Sequence, residues 1–206
     1  MGPADRAPRD PARPPAPDEG FLLARARQGD LSAFEQVVGR YQRRVYGTAL
    51  RIVRCHDVAD DVAQEAFLRA WRSLDRFDTT RPFGPWVCRI AANLALNHVR
   101  SPRTREEALP EEQAEPRSEA PGPLEALLDD EGRRVLDAAL GELPVEQRAV
   151  FVLRAFEELS YAEIAAALGL QPGTVMSRLF RARERLARAL GPYLGLHARR
   201  PRGGVA

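Results

Sequence analysis

Hydroxyl and guanidinium side chains recur on one side of residues 172–190. At about 100 degrees per residue, a helix gathers six of them into one stripe: Thr174, Ser177, Arg178, Arg181, Arg185 and Arg188. The opposite side carries Val175, Leu179, Ala182, Leu186 and Leu190. Arginine can donate two hydrogen bonds to guanine in the major groove, and hydroxyls near a helix start can reach bases or phosphates. The pattern therefore predicts a helix that packs by one face and binds duplex DNA with the other, although a solvated arginine-rich helix without a ligand has the same spacing.

Three residues of this stretch have a different expected role. Arg185 and Arg188 lie farther from the helix start, so we expect them to contact phosphates rather than bases. Phe180 lies near the edge of the polar stripe, where core packing and a contact with a thymine methyl group fit equally well.

The residues before this helix have the layout of a helix-turn-helix. A short helix is predicted over Tyr161–Leu168, and Ser160 and Glu163 have the spacing of a capping box at its start. A turn at 169–171 separates it from Pro172, which suits the first position of the next helix.

A second amphipathic stretch, residues 57–76, has an acidic outer side with one leucine in it. Its inward side is apolar and consists of Ala59, Ala63, Phe67, Ala70 and Leu74. Its outer side carries Asp57, Asp61, Gln64, Leu68 and Arg72. Such a row suits docking to a helix of another protein, with Leu68 as the anchor and the charges fixing the register. A single surface leucine is also ordinary in a monomer, so both interpretations stay open here.

A third helix is predicted from near Pro85 to about Arg100. Its apolar side carries Val87, Ile90, Ala91 and Leu94, with His98 at the same angle as a partly buried imidazole. Its other side carries Trp86, Arg89, Asn93, Asn97 and Arg100. Asparagine can bond base edges while arginine holds the backbone, and an aromatic ring can stack on an unpaired base, although Trp86 also fits a core position. The polar turn at 77–83, bounded by two phenylalanines, is a candidate pocket wall.

Helical periodicity and the absence of alternating stretches predict an all-α fold in two domains. Of the 206 residues, 44% are hydrophobic and 29% charged, which fits a globular protein. Eleven of the 17 prolines fall in residues 1–17 and 102–123. We therefore expect a disordered arm (1–20), a first helical domain (21–100), a flexible acidic linker (101–123), a second helical domain (124–191) and a basic tail (192–206). A capping box is also expected at Ser32 and Glu35.

The net charge of +2 conceals an uneven distribution, in which all 31 basic residues are arginine. Residues 21–100 carry +5, residues 101–143 carry −7 and residues 144–206 carry +5. Two basic domains favour a polyanionic partner.

Several classes of protein are excluded by what the sequence does not contain. Cys55 and Cys88 form no CxxC pair, so neither a disulfide framework nor a metal site is expected, and a reducing cytoplasmic location fits. No Ser/His/Asp set or phosphate-binding loop is present, so we expect a protein that is not an enzyme and uses no cofactor. No signal peptide and no membrane-spanning stretch is expected either.

Three segments resemble the extracytoplasmic-function (ECF, group 4) sigma factors of bacterial RNA polymerase, in the sigma-70 family. Asp57–Phe67 with Arg69-Ala70-Trp71 is similar to the polymerase-docking helix of region 2. Trp86–Asn93 is similar to the helix that melts the promoter and recognises its minus-ten element. The second domain resembles region 4, which binds the minus-thirty-five element, at Leu143-Pro144, Arg148, Ser160–Ala165, Gly173–Leu179 and Arg181-Ala182-Arg183.

The resemblance implies a role for each group of residues. Polymerase docking, on the clamp helices of the largest subunit, would use Asp57, Asp61, Gln64, Glu65 and Leu68. Minus-ten recognition and melting, with a base flipped toward the 77–83 turn, would use Trp86, Arg89, Asn93, Asn97, Arg100, Thr79, Thr80 and Phe83. Minus-thirty-five binding would use Thr174, Ser177, Arg178, Phe180, Arg181 and Arg185.

The implied partners are core RNA polymerase, promoter DNA and an anti-sigma factor. The second domain would also contact the flap of the second-largest polymerase subunit, and the chain would be monomeric when free and act in a stress or envelope-signal response. The sequence departs from the family pattern at Met176, where a basic residue is common, and at Gly84-Pro85. A helix-turn-helix regulator that binds duplex DNA without polymerase is the alternative.

Overall fold

The computed structural model describes residues 18–101 and 130–193. These residues form eight α-helices, one short 3-10 turn at Leu74–Arg76 and no strand, which confirms the predicted all-α fold. The N-terminal block consists of α1 (Glu19–Arg27), α2 (Leu31–Val53), α3 (His56–Arg72) and α4 (Phe83–Arg100). The C-terminal block consists of α5 (Asp130–Gly141), α6 (Val145–Ala155), α7 (Tyr161–Leu168) and α8 (Pro172–Leu190).

The ends of the predicted segments lie mostly outside the described residues. Residues 1–17 of the predicted arm, 102–129 of the predicted linker and second domain, and 194–206 of the predicted tail are in this category. Helix α1 nevertheless begins at Glu19, inside the span assigned to the arm, because the Asp18 carboxylate accepts from the Phe21 amide and caps the helix.

Helix α2 begins earlier than the expected capping box. Asp30 is the N-cap, and its Oδ1 accepts from the Ala33 amide at 3.0 Å. Ser32 therefore lies inside the helix, and the prediction of a capping box at Ser32 and Glu35 is wrong, because the helix already begins at Leu31 with the aspartate two residues upstream of Ser32 as its cap. The long helix α2 packs against the other three helices of the block and supplies the centre of its core.

Helices α3 and α4 are close to their predicted extents. The stretch expected as one helix to Arg76 is divided: α3 ends at Arg72, and the 3-10 turn follows at Leu74–Arg76. All five residues that were predicted to face inward in this stretch are buried. Helix α4 starts two residues before Pro85. Its N-cap position is Pro82, which has no side-chain donor or acceptor, and the Phe83 amide instead donates to Glu19 Oε1 at 3.3 Å. The Tyr41 hydroxyl bonds the other oxygen of Glu19, so α1 and α2 both support the start of α4.

The buried side of α4 is broader than the predicted one. Val87 and Ala91 are fully buried as expected, but Ile90 and Leu94 are half-buried and His98 is exposed. Residues outside the predicted stripe are buried in their place: Cys88, Ala92, Ala95 and Leu96. The cause is a second contact, because α4 packs against α6 and α7 of the C-terminal block as well as against its own block.

The C-terminal block contains the predicted helix-turn-helix. Ser160 and Glu163 form a reciprocal capping box at the start of α7, which confirms that expectation. Gly169 ends α7 in the left-handed conformation, with φ 62°, and Pro172 begins α8. The predicted inner side of α8 is buried, apart from the half-buried Leu190.

The two blocks lie against each other and share one continuous hydrophobic core. Helices α2 and α4 contact α6, α4 also contacts α7, and Arg51 of α2 stacks 4.3 Å above the Phe156 ring. The helices of residues 18–101 and 130–193 include none with the length and apolar character to cross a membrane.

Candidate nucleic-acid and protein interfaces

The arginine stripe of α8 is open to solvent. Ser177, Arg181 and Arg185 are exposed, whereas Thr174 and Arg178 are half-buried. The Ser177 hydroxyl donates to the Thr174 carbonyl oxygen at 3.1 Å, which orients it along the helix surface. These side chains stand on a helix whose opposite face is buried, so the stripe is held on a rigid support.

Phe180 is 64% exposed, which is inconsistent with the first of the two interpretations left open for it, core packing. It does not pack in the core but projects beside the arginine stripe. Met176, one helical turn earlier, is 56% exposed. An apolar pair therefore flanks the cationic face, where thymine methyl groups are suitable partners.

The outer row of α3 is a separate, unobstructed surface. Asp57, Asp61 and Gln64 are exposed, and Leu68 is 51% exposed. Glu65 is half-buried and accepts from Arg69 Nε at 2.7 Å. The placement of Leu68 among acidic side chains fits a docking anchor.

A shallow cleft of about 400 Å³ lies beside this row, between α2 and α3. Its lining includes α2 residues for which the sequence predicted no functional role: Val38, Gln42, Arg43 and Tyr46. Their spacing on α2, at positions i, i+4, i+5 and i+8, was the available signal.

The polar face of α4 is partly covered by the C-terminal block. Asn93 Nδ2 donates to the Ala167 carbonyl oxygen at the end of α7. Arg100 Nε lies 3.4 Å from Glu146 Oε1 at the start of α6. Of the predicted minus-ten residues on α4, Asn97 and Arg100 are exposed, and Trp86, Arg89 and Asn93 are half-buried.

The 77–83 turn forms one wall of a cavity of about 410 Å³ at the seam between the blocks. Arginines 76, 81 and 89 and Trp86 line it from the N-terminal block, and Leu159 and Glu163 line it from the C-terminal block. Trp86 is half-buried, with its ring 4.6 Å from the Phe77 ring, so it combines core packing with access to the cavity.

The position of Phe83 requires a correction. It was expected to contact a flipped base, but its side chain is fully buried between the rings of Phe34, Tyr41, Phe77 and Trp86. Phe83 thus supports the cavity wall from behind. Thr79 and Thr80 are exposed, and Thr80 is oriented by hydrogen bonds from its amide and hydroxyl to Asp78 Oδ1.

Glu163 carries negative charge into this arginine-lined cavity. Hydrogen bonds from Ser160 lower the pKa of Glu163, and the positive charges of Arg89 and Arg81 lower it further. Burial lowers the pKa of Arg89, while the attraction of Glu163 opposes that shift.

Sequence reasoning missed Glu157, the most buried carboxylate of the interface. Its side chain is 2% exposed, and it accepts from Arg44 Nε at 2.8 Å and from the Thr48 hydroxyl at 2.7 Å. Burial, together with the negative charge of Glu157, raises the pKa of the neighbouring Cys88 thiol. No periodicity marks Glu157, because it lies in the loop after α6 and its partners are more than 100 residues away.

The part of the chain described by the structure has no group of three His, Cys, Asp or Glu side chains able to hold a metal ion. Both cysteines are free thiols. The arrangement is one of binding surfaces: an acidic row, an arginine stripe and a covered Arg/Asn face.

Comparison with known proteins matches two segments of the chain to protein families. Residues 37–105 match the family described as "Sigma-70 region 2", and residues 133–186 match "Sigma-70, region 4". The RNA polymerase sigma-H factor of Pseudomonas aeruginosa is 38% identical over 84% of this chain and 94% of its own length. The ECF RNA polymerase sigma-E factor of Escherichia coli is 37% identical with the same coverage.

Two solved structures are similar over most of their length. CnrH, in complex with the cytosolic domain of CnrY, is 30% identical with a TM-score of 0.57, over 84% of this chain and 97% of that one. The sigma factor RpoE of Bartonella quintana, in complex with the anti-sigma factor NepR, is 27% identical with a TM-score of 0.59, over 78% and 98%. The identity to the curated relatives, over nearly their whole length, establishes that this chain belongs to the extracytoplasmic-function group of sigma-70 family RNA polymerase sigma factors.

Proposed function

We propose that this sigma factor docks on core RNA polymerase through the outer row of α3 and reads a promoter with α4 and α8. The observation that supports this most directly is the separation of two open surfaces of different character. The α3 row is acidic with an exposed leucine, which suits a protein helix, and the α8 stripe is cationic, which suits duplex DNA. A regulator that acted without polymerase would not need the first surface.

The clamp helices of the largest polymerase subunit are the proposed partner of the α3 row. The flap of the second-largest subunit is the proposed partner of the first helices of the C-terminal block. Ser177, Arg178 and Arg181 would contact bases of the minus-thirty-five element, while Arg185 and Arg188 would hold phosphates.

The Arg/Asn face of α4 is the proposed reader of the minus-ten element once the strands separate. Flipping a base out of the stack costs a few kcal/mol, which stacking on Trp86 and contacts in the arginine-lined cavity would offset. Thr79 and Thr80, which are exposed on the cavity turn, would contact the displaced strand.

Control by an anti-sigma factor, in the cytoplasm, is also proposed. The support is the likeness to RpoE of Bartonella quintana, which was solved with the anti-sigma factor NepR. A partner that covered the α3 row would block docking directly, and a response to stress or envelope signals would follow from its release.

The test is runoff transcription with core polymerase and a randomised promoter library, with and without this chain. Transcripts that require the chain are expected, and sequencing their templates identifies both recognised elements. Equal transcription without the chain would contradict the proposal.

Leu68→Asp tests the docking surface in the same assay. It should abolish chain-dependent transcripts and weaken co-purification with core polymerase, with little change in melting temperature because Leu68 is exposed. Leu31→Asp is the matched control, since Leu31 is a leucine of similar exposure, 58%, that belongs to α2 and not to the α3 row. Equal losses in both variants would rule out a specific role for α3.

A further inference from the structure

Met176 is an exposed methionine on the helix proposed to read the minus-thirty-five element. The sequence contains two methionines, of which Met1 lies outside the described residues. Methionine commonly fills gaps in a hydrophobic core, but Met176 is 56% exposed, whereas its neighbour Val175 is fully buried. The core of the C-terminal block therefore does not depend on this side chain, and its thioether is open to reagents in the solvent.

The cysteines among the described residues are less accessible than Met176. Cys88 is fully buried, and burial together with the charge of Glu157 raises the pKa of its thiol well above the usual range, so it stays a protonated thiol. Cys55 is half-buried. A thioether has no proton to lose, so its oxidation requires access but no ionisation. Met176 is therefore the most exposed sulfur-containing side chain in the described part of the chain.

Met176 lies at the part of α8 that is expected to meet base edges. It is the fifth residue of α8, and the N-terminal residues of a recognition helix contact bases in the major groove. Phe180, one turn later, is also exposed, and Ser177 of the arginine stripe is the next residue. Met176 and Phe180 together form an apolar surface beside the charged one, which suits thymine methyl groups.

Oxidation of the thioether changes the character of this surface. The sulfur donates an electron pair to one oxygen of a peroxide, and the O–O bond breaks. The hydroxyl proton moves to the departing oxygen, which leaves as water, while the other oxygen stays on sulfur as a sulfoxide. We propose that Met176 is a peroxide-sensitive modification site whose sulfoxide weakens recognition of the minus-thirty-five element. This inference rests on the proposed role of α8 in reading that element.

The sulfoxide acts on contacts with bases rather than with phosphates. Its oxygen is a hydrogen-bond acceptor on a side chain that was apolar, so contact with a thymine methyl group removes water from that oxygen at a cost in free energy. Arg181 and Arg185 keep their charges, so the attraction to DNA of any sequence is unchanged. Methionine sulfoxide reductases restore the thioether, which makes the change reversible.

The test measures oxidation and DNA affinity in the same samples of the full chain. Each sample is treated with hydrogen peroxide, and mass spectrometry of its peptides locates the added oxygen. Fluorescence anisotropy then gives the affinity for a promoter duplex selected in the transcription assay and for a random duplex of equal length. The oxidised chain should bind the promoter duplex about fourfold more weakly, as expected when the burial of roughly one methylene group is lost. Its affinity for the random duplex should not change.

Two variants separate Met176 from other effects of the oxidant. Met176→Leu has no sulfur at this position, so its affinity for the promoter duplex should be the same before and after treatment. The double variant Met176→Leu and Leu31→Met places a methionine on α2, at a position of similar exposure, 58%. It should gain an oxygen at position 31 without a change in affinity.

Enzymatic reduction provides a further control on the oxidised chain. Methionine sulfoxide reductases with dithiothreitol should restore its affinity for the promoter duplex, whereas dithiothreitol alone, which reverses only cysteine oxidation, should not. Circular dichroism should show the same melting temperature before and after treatment, because Met176 lies outside the core.

Three results would each overturn the inference. They are an unmodified Met176 under conditions that oxidise free methionine, equal promoter affinity before and after its oxidation, and the same loss of affinity in treated Met176→Leu. A chain that directs transcription but is insensitive to oxidation of Met176 contradicts this inference alone. A chain that never supports transcription contradicts the proposed function, and this inference with it.

Discussion

Substitution of Arg178 best distinguishes a contact with a DNA base from a contact with a phosphate. Arg178 is half-buried on the α8 stripe, and its Nη1 is shielded from solvent and has no hydrogen-bond partner among the described residues. If it reads a base, Arg178→Ala should cost about 1 to 3 kcal/mol of affinity for the selected promoter. The thermal stability of the free chain should change little, because no bond from that nitrogen is lost.

Arg183→Ala is the matched control for this measurement. Arg183 is an exposed arginine of the same helix that lies outside the stripe. Titrations against promoter and random duplexes should show a loss of discrimination only for Arg178→Ala. The same loss of affinity on both duplexes would identify Arg178 as a phosphate contact.

Two phenylalanines show how far single residues can be interpreted from sequence. Helical spacing placed Phe180 at the edge of the polar stripe but did not determine whether its side chain is buried or exposed. In the structure, it is exposed. Phe83 was assigned to DNA because it bounds a polar turn, yet it is buried by rings from α2 and from the turn itself. Local pattern gives the side of a helix, whereas burial depends on distant segments.

At the scale of elements, the start of α4 leaves no space beside Gly84. A Cβ at this position would lie 2.6 Å from Tyr41 Cε1 and 3.0 Å from Arg44 Nη1. Gly84→Ala should therefore destabilise the fold by about 1 to 3 kcal/mol, since overpacking a filled site outweighs the gain in helix propensity.

Chemical denaturation of the Gly84→Ala and Gly39→Ala variants measures the free energy of unfolding of each and so compares a filled site with an open one. Gly39 lies on the exposed side of α2, where a Cβ would have no neighbouring atom within 4 Å, so alanine there should stabilise by about 0.5 to 1 kcal/mol. Stabilisation by both substitutions would mean that the Tyr41 ring moves aside freely.

The positions of the helices could be predicted where their periodicity and their capping residues depend only on neighbouring residues in the sequence. The capping box at Ser160 and Glu163 is correct because no stronger cap precedes it. The one at Ser32 fails because Asp30 lies two residues earlier. The buried side of α4 was predicted only for contacts with its own block, since Ala92 and Leu96 belong to a surface shared with a block that starts 30 residues later in the sequence.

At the scale of the whole molecule, the contact between the blocks and the contact with DNA should respond differently to salt. DNA affinity should fall at least tenfold between about 0.05 and 0.2 M monovalent salt as phosphate contacts are screened. The separation of two dyes attached at exposed positions 32 and 183, one in each block, should stay constant over the same range. Glu157 is shielded from solvent, and the shared apolar core is not screened by ions.

Two measurements on a dye-labelled chain without other substitutions provide this comparison. Fluorescence anisotropy measures its affinity for DNA, and energy transfer between the dyes measures the distance between the blocks. Separation of the blocks over the same salt range would show that exposed pairs such as Arg100 and Glu146 hold them together, rather than the buried contact. Whole-chain composition could not predict this arrangement, because the charges that matter are three acids within a block in which nine acids and nine arginines balance each other.

The two blocks belong to one chain, and this has a consequence for how their contact behaves at different protein levels. An equilibrium within one molecule is unaffected by dilution, so synthesis of more sigma factor leaves the fraction of molecules with the blocks in contact unchanged. Only a partner that binds the separated blocks better can shift that fraction. The concentration of this partner, not that of the sigma factor, would then set the level at which the blocks separate.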